Sequence, residues 1–117
     1  DEVPTESKTV FRSAELPQLG RGGVSYRQVG RNLHHRKIQM LYEEYQPGSS
    51  SGKAPLVHEG EEVGIVIDGT LELTVDGETS TLGPGDAYLF ESSRPHSFRN
   101  KGSRVCIVVS ACTPPSF

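Results

Sequence analysis

Apolar and polar positions alternate most regularly in the second half of the chain, and glycine-containing turns break that alternation at short intervals. The runs Glu62 to Ile67, Thr70 to Val75, Glu78 to Leu82, Ala87 to Phe90, His96 to Arg99 and Arg104 to Ser110 each predict a strand. Asp68-Gly69, Asp76-Gly77, Gly83-Pro-Gly-Asp86 and Asn100-Lys-Gly-Ser103 supply the turns between them. In the first half, Val24 to Val29 alternates and predicts a strand. Ile38 to Tyr45 predicts another, with a short helix as the competing reading because Met, Leu and two Glu favour one. Thr9 to Arg12 would be a short edge strand. Leu16 to Gly23 and Pro47 to Gly52 read as loops, and residues 1–8 as a peripheral polar segment. No helix of four turns is visible. Many short strands joined by Gly turns indicate an all-β sandwich or barrel.

Strand parity then assigns faces. If Glu62 points inward, so do Gly64 and Val66, while Val63, Ile65 and Ile67 face a second sheet or another subunit. If His96 points inward, Phe98 does too. Met40 and Tyr42 share a face and are expected at the mouth of a pocket. Met40, Tyr42, Val66 and Phe98 are thus candidate pocket residues, with plain core packing as the alternative for each.

Composition narrows this picture. A chain of 117 residues is one domain. No apolar run reaches ten residues, so neither a membrane span nor a signal-peptide core is expected. The formal charge of -3 is unevenly divided. Residues 1–55 carry eight Lys/Arg against six Asp/Glu, and residues 56–117 carry four against nine. The acidic half argues against a nucleic-acid surface there and favours metal ions or cationic ligands. Two cysteines, Cys106 and Cys112, suit a reduced, cytoplasmic protein rather than a disulfide scaffold. Cys106 is expected to be a buried thiol and Cys112 a half-exposed one. The first residue is Asp1, which suggests a processed chain or a segment of something longer.

The candidate chemistry lies around His58-Glu-Gly-Glu-Glu62. Imidazole and carboxylate at this spacing are metal ligands or the polar floor of a pocket. As a pocket carboxylate, Glu62 would suit an amine such as a polyamine. Arg31-Asn-Leu-His-His-Arg-Lys37 is basic but lacks interleaved aromatics, so it reads as a solvated loop or the rim of a dimer contact. His34 and His35 are adjacent and would point to opposite faces of a strand, which makes them poor partners in one site.

Two clusters, His58-x-x-x-Glu62 with Gly69, and Pro84-Gly-Asp86 with Pro95-His-Ser-Phe-Arg-Asn100, together resemble the motifs of the cupin family. The resemblance implies a double-stranded β-helix, or jelly-roll barrel, over residues 24–117, with residues 1–23 as an N-terminal extension. It implies His58, Glu62 and His96 as ligands of a divalent transition metal (zinc, nickel, iron or manganese), with Asn100 in the asparagine place. Leu56 stands where the family has a fourth ligand. His-Glu-Gly60, the strand that follows it, Pro95 to Asn100 and the ending Ser110-Ala-Cys-Thr-Pro-Pro-Ser-Phe117 are further similar to the C-terminal sensor halves of bacterial regulators with an N-terminal Xre/Cro-type helix-turn-helix. That similarity implies a homodimeric domain that binds a small-molecule effector in the barrel and catalyses nothing. DNA would be contacted only through a helix-turn-helix that this chain lacks. A metal-dependent dioxygenase or isomerase is the alternative, and a dimerisation module with a vestigial pocket the third reading.

Overall fold

The structure is a computed structural model that describes residues 8–116. It contains a single 3-10 turn, Ser13–Glu15, and eight strands. These are β1 (Val24–Gln28), β2 (Gln39–Tyr45), β3 (Glu61–Asp68), β4 (Leu71–Val75), β5 (Glu78–Leu82), β6 (Ala87–Glu91), β7 (His96–Arg99) and β8 (Cys106–Thr113). They form a five-stranded sheet ordered β1-β2-β8-β3-β6 and a three-stranded sheet ordered β5-β4-β7, with every pairing antiparallel. This is the all-β architecture expected from the strand spacing, in the jelly-roll form that the family resemblance implies.

The inner faces of the two sheets meet in a core of Val24, Tyr45, Val66, Leu71, Leu73, Leu82, Tyr88, Phe90, Phe98, Cys106 and Val108, to which the edge strand β5 contributes only Leu82. The Asp76-Gly77 turn closes the β4–β5 hairpin with both residues at positive φ, 52° and 79°. A two-residue turn of this hand matches the twist of the strands, which is why Asp-Gly occupies it. Asn100 is wholly buried after β7. Its Nδ2 donates to the carbonyls of Tyr45 and Arg104, each at 2.9 Å, and its Oδ1 accepts from the Gly102 amide at 2.8 Å. One amide thereby pins the β7–β8 loop to the end of β2.

Four expectations change. The competing helix over residues 38–45 is absent, because β2 is hydrogen-bonded along one edge to β1 and along the other to β8. β8 begins two residues later than the alternation suggested and runs on to Thr113, paired with Cys112 opposite Gln39 and Thr113 opposite Glu61. Residues 9–12 form no strand; instead Pro17 to Leu19 contacts β1, through an isolated bridge of Gln18 with Arg27. Residues 17–19 take the β1 edge instead: the Leu19 amide donates to the Tyr26 carbonyl at 2.8 Å and the Gln28 amide to the Pro17 carbonyl at 3.0 Å. Finally, Met40 and Tyr42 do not face a pocket. β2 turns Gln39, Leu41, Glu43 and Tyr45 inward and leaves Met40 and Tyr42 on the outer surface, where the Arg27 guanidinium lies 4.7 Å from the Tyr42 ring centre. The polar segment 1–7 and the terminal Phe117 lie outside the described residues.

Parity on β3 holds as read. Gly64 and Val66 are buried, while Val63, Ile65 and Ile67 are exposed on the opposite face.

Candidate metal centre and ligand cavity

The segment before β3 is held against the β6–β7 connection. Leu56 and His96 exchange backbone hydrogen bonds at 2.7 and 3.0 Å, the His58 amide donates to Ser92 at 3.0 Å, and the Ser92 amide donates to Gly60 at 2.8 Å. Gly60, at φ 102°, passes so close to the chain's last strand that a Cβ there would lie 1.8 Å from the Thr113 carbonyl oxygen. Only glycine permits both the conformation and the approach. These clamps carry the His58 side chain towards Glu62 on β3 and His96 on β7.

His58, Glu62 and His96 form one cluster, with a ligand atom from each within 4.8 Å of the others. Glu62 Oε1 lies 3.8 Å from Nε2 of both His58 and His96. Two donors that share an ion at about 2.1 Å can be at most about 4.2 Å apart, so these separations suit a common metal with little movement. The imidazole of His96 is oriented for it. Its Nδ1–H donates to the Arg94 carbonyl at 2.8 Å, which leaves Nε2 as the lone-pair nitrogen. That Nε2 is buried without a hydrogen-bond partner, as is His58 Nδ1. Burial lowers the pKa of His96, and the neighbouring His58 lowers it further, against the Arg94 hydrogen bond. The ring thus stays neutral, as a ligand must. The donor set fits a divalent transition ion.

Glu62 is itself placed by its neighbours. Tyr88 donates its hydroxyl to Glu62 Oε2 at 3.1 Å. The Tyr88 ring can lie over β3 because the residue opposite is Gly64; a Cβ there would be 2.5 Å from the ring. Burial pushes Glu62 up to about 7, opposed by the Tyr88 hydrogen bond.

A small cavity of about 60 Å³, partly open to solvent, adjoins the cluster. His58, Glu62 and Leu56 line one side of it, with Phe98 beside them. Of the four candidate pocket residues, only Phe98 lines this cavity. Val66 faces inward but is buried in the hydrophobic core, and Met40 and Tyr42 are outside. Sequence reading missed most of the remaining lining, which the inner faces of β1, β2 and β8 supply with Tyr26, Gln39, Leu41, Glu43, Tyr45, Ser110 and Cys112. The pattern of β2 hid it, since both faces of Gln39-Met-Leu-Tyr-Glu-Glu-Tyr45 carry apolar residues and one Glu apiece. Cys112 is buried rather than half-exposed, its thiol 3.2 Å from Gln39 Oε1, and Cys106 is buried as expected. Burial raises both thiols, which disfavours thiolate chemistry. His34 and His35 lie in the β1–β2 connection with their rings 4.0 Å apart, outside the cluster.

Residues 41–112 match the family described as "Cupin domain". The HTH-type transcriptional regulator PuuR of Escherichia coli (strain K12) is 36% identical over 116 residues, which is 99% of this chain and 62% of that protein. The chain therefore spans less than two thirds of the length of that relative. Quercetin 2,3-dioxygenase of Bacillus subtilis (strain 168) is also 36% identical, over 80% of this chain but 31% of the enzyme. Among solved structures, the cupin domain of an XRE family transcriptional regulator from Enterobacter cloacae superposes with a TM-score of 0.70 at 27% identity, covering 81% of this chain and 100% of that one.

Proposed function

The chain belongs to the cupin domain family, and from that premise we propose that it is the ligand-sensing and dimerisation domain of a bacterial transcriptional regulator. The observation that carries this reading is the continuity of its likeness to a helix-turn-helix regulator, which extends over 99% of the chain. The enzyme alternative draws on a likeness to 31% of a dioxygenase. Leu56 at the cavity wall also weakens that alternative, since an apolar side chain occupies the place of a fourth ligand.

In this reading a small effector enters the cavity and is held by the polar groups of His58 and Glu62, with His96 behind them. A divalent transition ion bound by these three residues would supply positive charge and open coordination positions for a polar atom of the effector. The residues themselves bind and orient; no bond is made or broken.

The domain pairs with a second copy through the outer face of the five-stranded sheet. Register aligns Met40, Ala111, Val63 and Leu89 in one row across that face, and Tyr42, Val109, Ile65 and Ala87 in the next. Ile38, Met40, Val63, Ile65, Ile67 and Leu89 are each between 41% and 70% exposed. A contiguous apolar face of this kind is a strong docking surface. The basic loop at residues 31–37 belongs to the rim in this arrangement. Two strands link cavity to interface: β8 turns Ser110 and Cys112 inward and Val109 and Ala111 outward, and β3 does the same with Glu62 and Val63. A ligand that moves either strand changes the packing of the dimer. In the full regulator that change would reset the spacing of two DNA-reading helices, which lie outside this chain. The regulator would work in the cytoplasm, and no helix among the described residues is long and apolar enough to cross a membrane.

The test uses the purified chain. Light scattering should give a dimer. A metabolite panel, run with and without added nickel or zinc, should contain compounds that raise the melting temperature. Operator DNA should not be retarded by the isolated chain. Metal-dependent turnover lost in His96→Ala, or operator binding by this chain, would overturn the reading.

A further inference from the structure

The cavity beside the metal cluster measures about 60 Å³, room for a few waters. Sites for small organic ligands commonly measure about 300 Å³ or more, so a metabolite fits only if part of the wall yields. Most of the lining belongs to paired strands, and Leu56 and His58 are clamped through their backbones to His96 and Ser92. Ser116 is the exception. It follows the end of β8, is exposed to solvent, and still lines the cavity. Among the described residues, no backbone-to-backbone hydrogen bond holds residues 114–116. Their polar hold is the side chain of Gln39, which is 1% exposed. Gln39 Oε1 accepts from the Ser116 amide at 3.2 Å and from the Cys112 thiol at 3.2 Å. A weak contact of 3.7 Å between Ser116 Oγ and Cys112 Sγ assists it. The carboxamide is oriented from behind: Gln39 Nε2 donates to Gln28 Oε1 at 2.7 Å, and Gln28 Nε2 donates to the Gly30 carbonyl at 2.7 Å. With its nitrogen committed to Gln28, Gln39 must turn its oxygen towards the segment. The segment leaves β8 at Thr113, which is paired opposite Glu61, and passes over Gly60, where a Cβ would lie 2.7 Å from Pro114 Cδ. Pro115 then borders a hollow with Gln28, Arg31 and Leu33. Residues 114–116 therefore cross the cavity rim from the Gly60 turn to the β1–β2 connection.

We propose that residues 114–116 are a strap across the rim of the cavity, latched by the carboxamide of Gln39 and lifted to admit or release what the cavity holds. Thr113, the last residue of the ladder, is the hinge. Opening the cavity elsewhere would break strand pairings or the backbone clamps at Leu56 and His58, whereas lifting the strap breaks one backbone-to-side-chain hydrogen bond and one weak sulfur contact. Local openings follow the path that breaks least. A lifted strap enlarges the cavity, frees an acceptor on Gln39 and uncovers the Cys112 thiol. The relay through Gln28 also ties the latch to Gly30, the root of the basic loop at residues 31–37, so the position of the strap is transmitted there. The strap does not depend on the sensor reading, since a cavity of this size needs an opening for any organic ligand.

The two cysteines supply the experiment. Cys112 lies beneath the strap on the inward face of β8, and Cys106 lies on the same face in the core, wholly buried, where it reports unfolding of the whole chain. Iodoacetamide labelling of the full chain, followed by mass spectrometry, reads the two rates separately. In the unsubstituted chain Cys112 should label faster than Cys106, because the strap opens without global unfolding. Ser116→Pro removes the amide hydrogen that Gln39 accepts, and Gln39→Leu removes the acceptor. Each should raise the Cys112 rate on the order of five- to tenfold, the effect of one net hydrogen bond on an opening equilibrium, with the Cys106 rate unchanged. Ser116→Ala keeps the amide and should leave the Cys112 rate within about twofold of the parent. Equal Cys112 labelling in the parent and in both latch variants, or a Cys106 rate that rises in step with that of Cys112, would overturn the strap.

Discussion

At the scale of single residues, position matters more than residue type. His58, Glu62 and His96 could be read from spacing and family likeness, and the structure brings all three together. Their number is the informative feature. Leu56 is joined to His96 by paired backbone hydrogen bonds and its side chain lines the cavity, so a histidine there would reach the same cluster. We expect Leu56→His to tighten nickel or zinc binding by about tenfold or more, measured by competition with a chelator. Tyr88→Phe removes the donor to Glu62 and should weaken metal binding by roughly tenfold. Glu43 gives a pH prediction. Its pKa in the fold, about 7, lies above its ordinary value of 4.5, so its protonated form favours folding. That contribution is complete below about 4.5 and is lost as pH rises through about 7. It amounts to at most about 3 kcal/mol. In chemical denaturation of the metal-free chain, Glu43→Gln should match the parent at acid pH and become relatively more stable between pH 5 and 8. An unchanged difference across that range would refute it.

At the scale of elements, each strand serves two surfaces. β3 presents Glu62, Gly64 and Val66 to the interior and Val63, Ile65 and Ile67 to the outside. Gly64 is small because the Tyr88 ring covers it, and Tyr88 in turn holds Glu62. We expect Gly64→Val to displace Tyr88, lowering the melting temperature and the metal affinity together. The carboxamide of Asn100 is the fastener between β7, β8 and the end of β2. Asn100→Ala removes the donors to the buried Tyr45 carbonyl and the part-buried Arg104 carbonyl, at a cost of about 1–3 kcal/mol, which urea denaturation can measure. Spacing had assigned Asn100 to a family motif. Its observed work is structural, well suited to the turn that sets up β8.

At the scale of the whole molecule, the proposed dimer would give the two faces of the five-stranded sheet different tasks. The inner face holds the cavity, and the outer face carries the apolar rows through Met40, Val63, Ile65 and Leu89. Leu89 is 70% exposed at the edge strand β6. Leu89→Glu should leave the fold intact and shift the chain from dimer to monomer in light scattering; a dimer that persists would place the interface elsewhere. Because β8 contributes to both faces, the monomeric variant should also respond differently to ligand, since the interface no longer restrains that strand.

The sequence by itself determined the fold class, most strand positions and the metal-ready triad. Alternation of period two and Asp-Gly turns are local, and the His58 to Glu62 spacing is local too. The phase of β3 follows once Glu62 points inward as a ligand, since Gly64 and Val66 share its face by parity. Only the tertiary structure decided the phase of β2. Its two faces are nearly alike in composition, so the choice between Met40 with Tyr42 and Leu41 with Glu43 fell to pairing with β1 and β8 and to burial against the opposite sheet. With that choice came most of the remaining cavity lining. Glu43 and Ser110 are far apart in the chain and meet only because the strand register places β2 beside β8, a long-range pairing that no local pattern encodes.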